Sequence, residues 1–162
     1  MRVRPTSDRV RESVFGILGD RVIGARVLDL FAGVGALGLE ALSRGAETAV
    51  FVDNHPDSLA AIRRNIQTLG LETSTRLVRR DLMRGLGNWT EETPFDLVFL
   101  DPPYGKKLVE RALTGVLRVG LVASGAWAVA EFATRDEVIP PDDWTLTDRR
   151  QYGGTVVAFF EA

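Results

Sequence analysis

The sequence predicts an α/β fold: a mostly parallel sheet of about seven strands, helices on both faces, and a C-terminal antiparallel hairpin. Three observations carry this. Short apolar, β-rich segments alternate with stretches of helical periodicity as far as residue 132, the pattern of strand–helix–strand units with right-handed crossovers. The buried-strand pattern ending at Phe31 runs straight into a glycine turn and a helix start. The last two β-like segments are joined across Tyr152-Gly153-Gly154, too short a link for a helix, so they form a hairpin.

The elements follow in order. Between Thr6 and Gly19, Val10, Val14, Ile17 and Leu18 fall on one helical face, behind a proline and the capping side chains of Thr6, Ser7 and Asp8. Arg26 to Phe31 is the first strand and Ala36 to Arg44 the next helix, with Gly45 placed to end it. Thr48 to Val52 is the second strand. Pro56 opens a helix whose Leu59, Ile62, Ile66 and Leu69 predict a buried stripe, closed by Gly70. Ser74 to Val78 and Phe95 to Leu100 are strands, Leu108 to Val119 a helix, and Ala126 to Phe132 the fifth strand. Trp144 to Gln151 and Thr155 to Phe160 complete the sheet.

A chain of 162 residues fits one α/β domain, 1–162, opening with an N-terminal helical segment over 1–20. An apolar fraction of 45% with 26% charged residues matches a soluble protein, and no apolar run reaches the roughly 20 residues that cross a bilayer. With no cysteine there is no disulfide, thiolate nucleophile or cysteine-bound metal; a cytoplasmic monomer without a membrane anchor is the default expectation. The net charge of −2 confines any nucleic-acid contact to a local patch, and arginines cluster at Arg2, Arg4, Arg9 and Arg11, at Arg63 and Arg64, and at Arg76, Arg79, Arg80 and Arg84.

Chemistry concentrates at strand ends. Gly33, Gly35 and Gly38 match the dinucleotide pattern G-x-G-x-x-G, with Asp53 near the place of a ribose-binding acid. Asp29 within the strand departs from a dehydrogenase fingerprint and favours a ligand that carries an amine. Asp53, Asp81 and Asp101 each follow a strand, so a parallel sheet gathers them with Asp29 at one edge; capping of the next turn is the competing role of each acid taken singly. Asp101-Pro102-Pro103-Tyr104 is the most specific motif. Pro102 offers a carbonyl without a competing N–H, Asp101 an acceptor and Tyr104 a stacking ring, a set that suits a planar ring bearing an amino group. His55 lacks partners for a metal site, and no metal ligation is expected.

With these motifs the chain resembles class I S-adenosylmethionine-dependent methyltransferases that carry a D/N-P-P-Y/F motif and act on exocyclic nitrogen. Arg4-Pro5-Thr6-Ser7-Asp8-Arg9-Val10-Arg11-Glu12, Leu28-Asp29-Leu30-Phe31-Ala32-Gly33 with Gly35-Ala36-Leu37-Gly38-Leu39-Glu40-Ala41, and Asp101-Pro102-Pro103-Tyr104 look like the RsmD family, which methylates a guanine N2 in 16S ribosomal RNA. The resemblance implies a Rossmann-like sheet and S-adenosyl-L-methionine as cofactor. It implies a cofactor site of Asp29, Phe31, Gly33, Gly35, Asp53, Asn54, Asp81 and Leu82, with the adenine beside Asp81 and Leu82. Asp101, Pro102, Pro103 and Tyr104 become the catalytic set. Arg4, Thr6, Arg9 and Arg11 are expected to meet 16S ribosomal RNA or the small-subunit particle. Family members usually carry a short glycine- and arginine-containing β-segment before the Arg-Pro-Thr stretch, and its lack here implies truncation or weaker RNA docking. The alternatives are methylation of adenine N6 in RNA or DNA or of a protein glutamine amide, a non-catalytic RNA-binding or cofactor-sensing domain, and, least favoured, a dehydrogenase.

Overall fold

The computed structural model describes residues 7–91, 93–103, 105 and 107–162. Seven strands, β1 (Arg26–Leu30), β2 (Thr48–Asp53), β3 (Thr75–Arg79), β4 (Phe95–Leu100), β5 (Val122–Ala133), β6 (Thr145–Tyr152) and β7 (Thr155–Glu161), form one sheet in the order β3-β2-β1-β4-β5-β7-β6. β1 to β5 pair in parallel, whereas β7 runs antiparallel to both β5 and β6. The hairpin at the end is therefore present, inserted with β7 inside and β6 at the edge.

Alternation along the central strands explains both faces. Val27, Phe51, Leu97, Phe99 and Phe159 point to one side, where they pack against α1 (Asp8–Leu18), α2 (Ala36–Ser43) and α3 (Pro56–Leu69). Leu28, Leu30, Val52, Leu100 and Phe160 point to the other, covered by α4 (Leu108–Arg118) together with Leu86, Trp89 and Trp144. Three helices thus cover one face and one helix the other. Between β3 and β4 the described chain forms a short 3-10 turn, Leu82–Arg84, and a loop that plugs the core with Leu86 and Trp89.

Local chemistry sets the ends. Ser7 caps α1 by accepting the Val10 N–H at 3.3 Å, and the Tyr152 hydroxyl is hydrogen-bonded to Ser13, pinning that helix to the hairpin. Gly70 ends α3 at a φ of 69°, the left-handed conformation that glycine takes most cheaply. Trp144 Nε1 donates to the Leu113 carbonyl at 2.9 Å, tying the approach to β6 onto α4.

Three details differ from the sequence expectations. Leu69 is 58% exposed, because the last turn of α3 runs past the cover of the sheet. β5 begins four residues early, at Val122: the register with β4 jumps from Phe95↔Val122 to Leu97↔Trp127, so Ala123-Ser124-Gly125 bulges out within the strand. Short 3-10 turns form at Gly19–Val22, Glu72–Ser74 and Leu82–Arg84, and the second takes Ser74, expected as the first residue of a strand.

Candidate active site

From β1 the chain crosses to β2 and then β3 on one side; from β4 it crosses to β5 on the other. The carboxyl ends of β1 and β4 therefore flank the point where crossovers diverge, the place where open α/β sheets leave a crevice for ligands. Four segments reach that edge: 31–35 after β1, 53–55 after β2, 81–84 after β3 and 101–103 after β4.

The turn after β1 is tightly built. Phe31 has a φ of 57°, unusual for a residue with a side chain, and Gly33 and Gly35 follow at 61° and 81°. Such a local cost persists when neighbours over-determine the conformation. Here they do. The Gly35 N–H donates to the Ala32 carbonyl at 2.8 Å, the Ala32 N–H to Val52 at 3.0 Å, and the Gly33 N–H to Asp53 Oδ2 at 2.9 Å. The other Asp53 oxygen accepts the His55 N–H at 2.9 Å, so one carboxylate joins the ends of β1 and β2.

Asp29 lies beneath this turn, 3% exposed, and its Oδ2 accepts the Gly38 N–H at 3.1 Å from the first turn of α2. Burial pushes its carboxyl well above the usual carboxylate range; the Gly38 N–H pulls the other way, and Asp101 and Asp53 add like-charge repulsion. Gly38 must be glycine: a Cβ there would stand 2.4 Å from Phe51 Cε1. The amides of Gly33 and Gly38 are thus committed to carboxylates, and a pyrophosphate brought to them would face Asp29 and Asp53. The glycine spacing of a dinucleotide site is present without its anion-binding amides. A ligand carrying positive charge fits this field instead.

The remaining expected residues fall into place with different roles. Asp81 caps the 3-10 turn, accepting the Met83 N–H at 3.1 Å with Arg84 Nε 3.5 Å away, so the capping role is realised at this acid. Leu82 is half-buried against the core, Asn54 is exposed, and His55 caps α3 through Nδ1, which accepts the Asp57 N–H at 3.2 Å. Asp101 and Pro103 are half-buried and Pro102 is buried. Beside them a cavity of about 180 Å³ is lined by Pro102, Pro103, Gly105, Phe132, Arg135 and Val138, among others. Tyr104, Arg4 and Thr6 lie outside the described residues. Arg9 is exposed, 5.9 Å from the Tyr152 ring centroid, whereas Arg11 is paired with Asp8 at 2.5 Å and Glu40 at 3.3 Å. Among the described residues no group of three His, Cys, Asp or Glu side chains is arranged to hold a metal ion, and no helix is long and apolar enough to cross a membrane.

One supporting role was absent from the expectations, which had Arg80 only as a member of an arginine cluster. Arg80 hydrogen-bonds the Leu86 carbonyl and lies 5.1 Å from the Trp89 ring, which folds the 81–89 segment back and sets Asp81 and Leu82 at the edge. The visible signal was an arginine next to a strand-end acid with a tryptophan nine residues on.

Comparison with known proteins gives the chain's relatives and the family of its fold. The family described as conserved hypothetical protein 95 matches residues 1–161. A relative from Escherichia coli (strain K12), named ribosomal RNA small subunit methyltransferase D, is 35% identical over 155 residues, covering 95% of this chain and 76% of its own. A protein of the same name from Haemophilus influenzae is 32% identical over 152 residues, covering 93% and 79%. A solved structure from Escherichia coli superposes with a TM-score of 0.87 at 31% identity, covering 99% of this chain and 90% of that one.

Proposed function

The chain belongs to the conserved hypothetical protein 95 (RsmD) family, and from that premise we propose that it transfers a methyl group from S-adenosyl-L-methionine to the exocyclic N2 of a guanine in 16S ribosomal RNA. The observation that carries the reading is the juxtaposition at the sheet edge. Asp101 and the Pro102 carbonyl, at the end of β4, stand one strand from a glycine turn whose amides are bound by Asp53 and Asp29.

The donor set fits the cofactor. Asp53 spends one lone pair of each oxygen on an amide and keeps others for ribose hydroxyls. The Gly33–Gly35 turn would hold the methionine end, with Asp29 as a positioning residue beneath it and the Asp53 and Asp101 carboxylates matched to a cationic ligand. Asp81 and Leu82 would take the adenine, with Phe31 and Asn54 completing the expected cofactor site. When bound, S-adenosyl-L-methionine supplies an electrophilic methyl group attached to its own leaving group.

The protein's task is alignment. A guanine N2 is a weak nucleophile because its lone pair is delocalised into the ring; accepting both of its hydrogens, at the Asp101 carboxylate and the Pro102 carbonyl, fixes the direction of that lone pair. The Asp101 carboxylate also offsets the positive charge that develops on the nitrogen, and accepts the proton released as the amine is methylated. Tyr104 would hold the flipped base by stacking, a contact of roughly 1–3 kcal/mol.

Substitution of Asp101 tests this. Asp101→Asn keeps shape and one acceptor oxygen but removes the charge, so methyl transfer to unmodified 16S ribosomal RNA or small-subunit particles should fall far more than cofactor affinity measured by calorimetry. Wild-type transfer by Asp101→Ala would remove the motif from the mechanism.

A further inference from the structure

We infer that the groove between α4 and the 82–86 segment binds the phosphate backbone of the RNA substrate, and that Arg84, Lys107, Arg111 and Arg118 are its cationic contacts. The inference rests on the RNA substrate proposed above and names where that RNA lies.

A cavity of about 360 Å³ opens here; Phe31 and Leu82 line its end at the expected cofactor site, and Leu30 and Leu86 line it as well. It exists because α4 alone covers this face, while the segment between β3 and β4 supplies a 3-10 turn and a loop in its place. Along α4, Lys107, Arg111, Thr114 and Arg118 recur at i, i+4, i+7 and i+11, all exposed and all lining the groove. At 1.5 Å per residue that stripe runs about 16 Å, the rise of about five stacked nucleotides. Arg84, 88% exposed on the side chain, faces it from the opposite wall.

Charge decides the occupant. The groove has four cations and one carboxylate, Glu110, in a chain of net charge −2. Lys107, Arg111 and Arg118 form no ion pair with a described residue, and Arg84 is loosely set at 3.5 Å from Asp81. Of the arginines elsewhere, Arg11 and Arg44 are paired with Glu40, Arg76 with Glu91 and Arg150 with Asp148, and what sets the groove apart is four cations gathered on one concave surface. Arg111 also donates to the Met83 carbonyl at 2.9 Å, which fixes its position without cancelling its charge. A linear polyanion matches a stripe of this length better than a single anion does. Lys107 further lines the cavity beside Pro102 and Pro103, so the groove begins where the target base would be held.

The test is the salt dependence of binding to protein-free 16S ribosomal RNA, measured by filter binding between about 50 and 300 mM salt. The triple variant Arg84→Gln, Lys107→Asn, Arg118→Gln leaves Arg111 in its structural bond, and uses asparagine at position 107 because Lys107 sits at a φ of 53°. With about 0.7 counterion released per single-strand phosphate contact, the slope of log K against log salt should flatten by about 2, and Kd at 0.15 M should rise on the order of 10- to 100-fold. Cofactor affinity by calorimetry should change far less than RNA affinity, the substitution nearest the cofactor site being Arg84→Gln, 3.5 Å from Asp81. Thr114→Glu, a single exposed substitution midway along the stripe, should raise the KM for RNA by itself. An unchanged slope, or a slope flattened instead by Arg9→Gln with Arg11→Gln, would overturn the groove as the RNA path; so would a loss of cofactor affinity in the triple variant as large as its loss of RNA affinity. Failure of the wild-type protein to bind the RNA at any salt would overturn the substrate reading itself.

Discussion

Two glycine-to-alanine changes, each in a helix, should move stability in opposite directions. At Gly16 in α1 an added Cβ meets nothing within 4 Å, so Gly16→Ala removes the helix penalty of glycine and should gain up to about 1 kcal/mol. At Gly38 in α2 the same Cβ would stand 2.4 Å from Phe51 Cε1, 2.9 Å from Cζ and 3.1 Å from Asp29 Oδ2. Phe51 is wholly buried between β1 and β3 and has nowhere to swing; Asp29 is held by the Gly38 amide itself. Overpacking of this kind costs about 1–3 kcal/mol, and so close an approach to a rigid ring places it near the top of that range. Net of the propensity gain, Gly38→Ala should lose about 2 kcal/mol. For a domain of this size each kcal/mol moves Tm by about 2–4 °C, so Gly38→Ala should melt about 4–8 °C lower and Gly16→Ala slightly higher. Calorimetric melts without cofactor measure both. A Gly38→Ala protein as stable as the wild type would refute the packing of β1, β2 and α2 on which the glycine turn depends.

Three further outcomes follow from the site. Because the folded Asp29 carboxyl is raised, the native state holds a proton that the unfolded chain releases, and stability falls as pH rises above about 4 toward the folded value; Asp29→Asn should flatten that slope in urea melts across pH 4–8, and a difference from wild type that is constant with pH would contradict the buried charge. Asp53→Ala removes the acceptor of the Gly33 and His55 amides as well as the expected ribose contact, so cofactor affinity in titration calorimetry should drop by about 1–3 kcal/mol, and an unchanged value in a folded protein would displace the ribose from Asp53. Tyr104→Ala should raise the KM for RNA while Tyr104→Phe stays close to wild type in steady-state methyl transfer; equal losses in both would point to the hydroxyl rather than the ring.

The fold was legible where one local signal sufficed. Proline at the start of α3, glycine at its end and continuous apolar, β-rich runs in β1, β2 and β4 each located an element to within a residue or so. What stayed hidden depended on partners distant in sequence. The early start of β5 is visible only in its pairing with Phe95 on β4, and the exposure of Leu69 only in where the sheet stops. At the site, the aspartates and glycines were readable as a set. Their bonds to each other were not: Asp53 on Gly33 and Asp29 on Gly38 join strands and a helix that sequence spacing cannot orient. Arg11 was readable as a member of an arginine cluster, whereas its ion pair with Glu40 on α2 depends on packing that spacing does not show. The α4 stripe was open to inspection, since a basic residue at 107, 111 and 118 has plain helical spacing, yet a cluster counted along the chain does not register it.

The most direct measurement is the fate of a labelled methyl group. Unmodified 16S ribosomal RNA and small-subunit particles incubated with the protein and methyl-labelled S-adenosyl-L-methionine should yield, after digestion to nucleosides, a single labelled product, N2-methylguanosine, and Asp101→Asn should reduce it strongly. Label recovered in N6-methyladenosine, or in protein rather than RNA, would contradict the account.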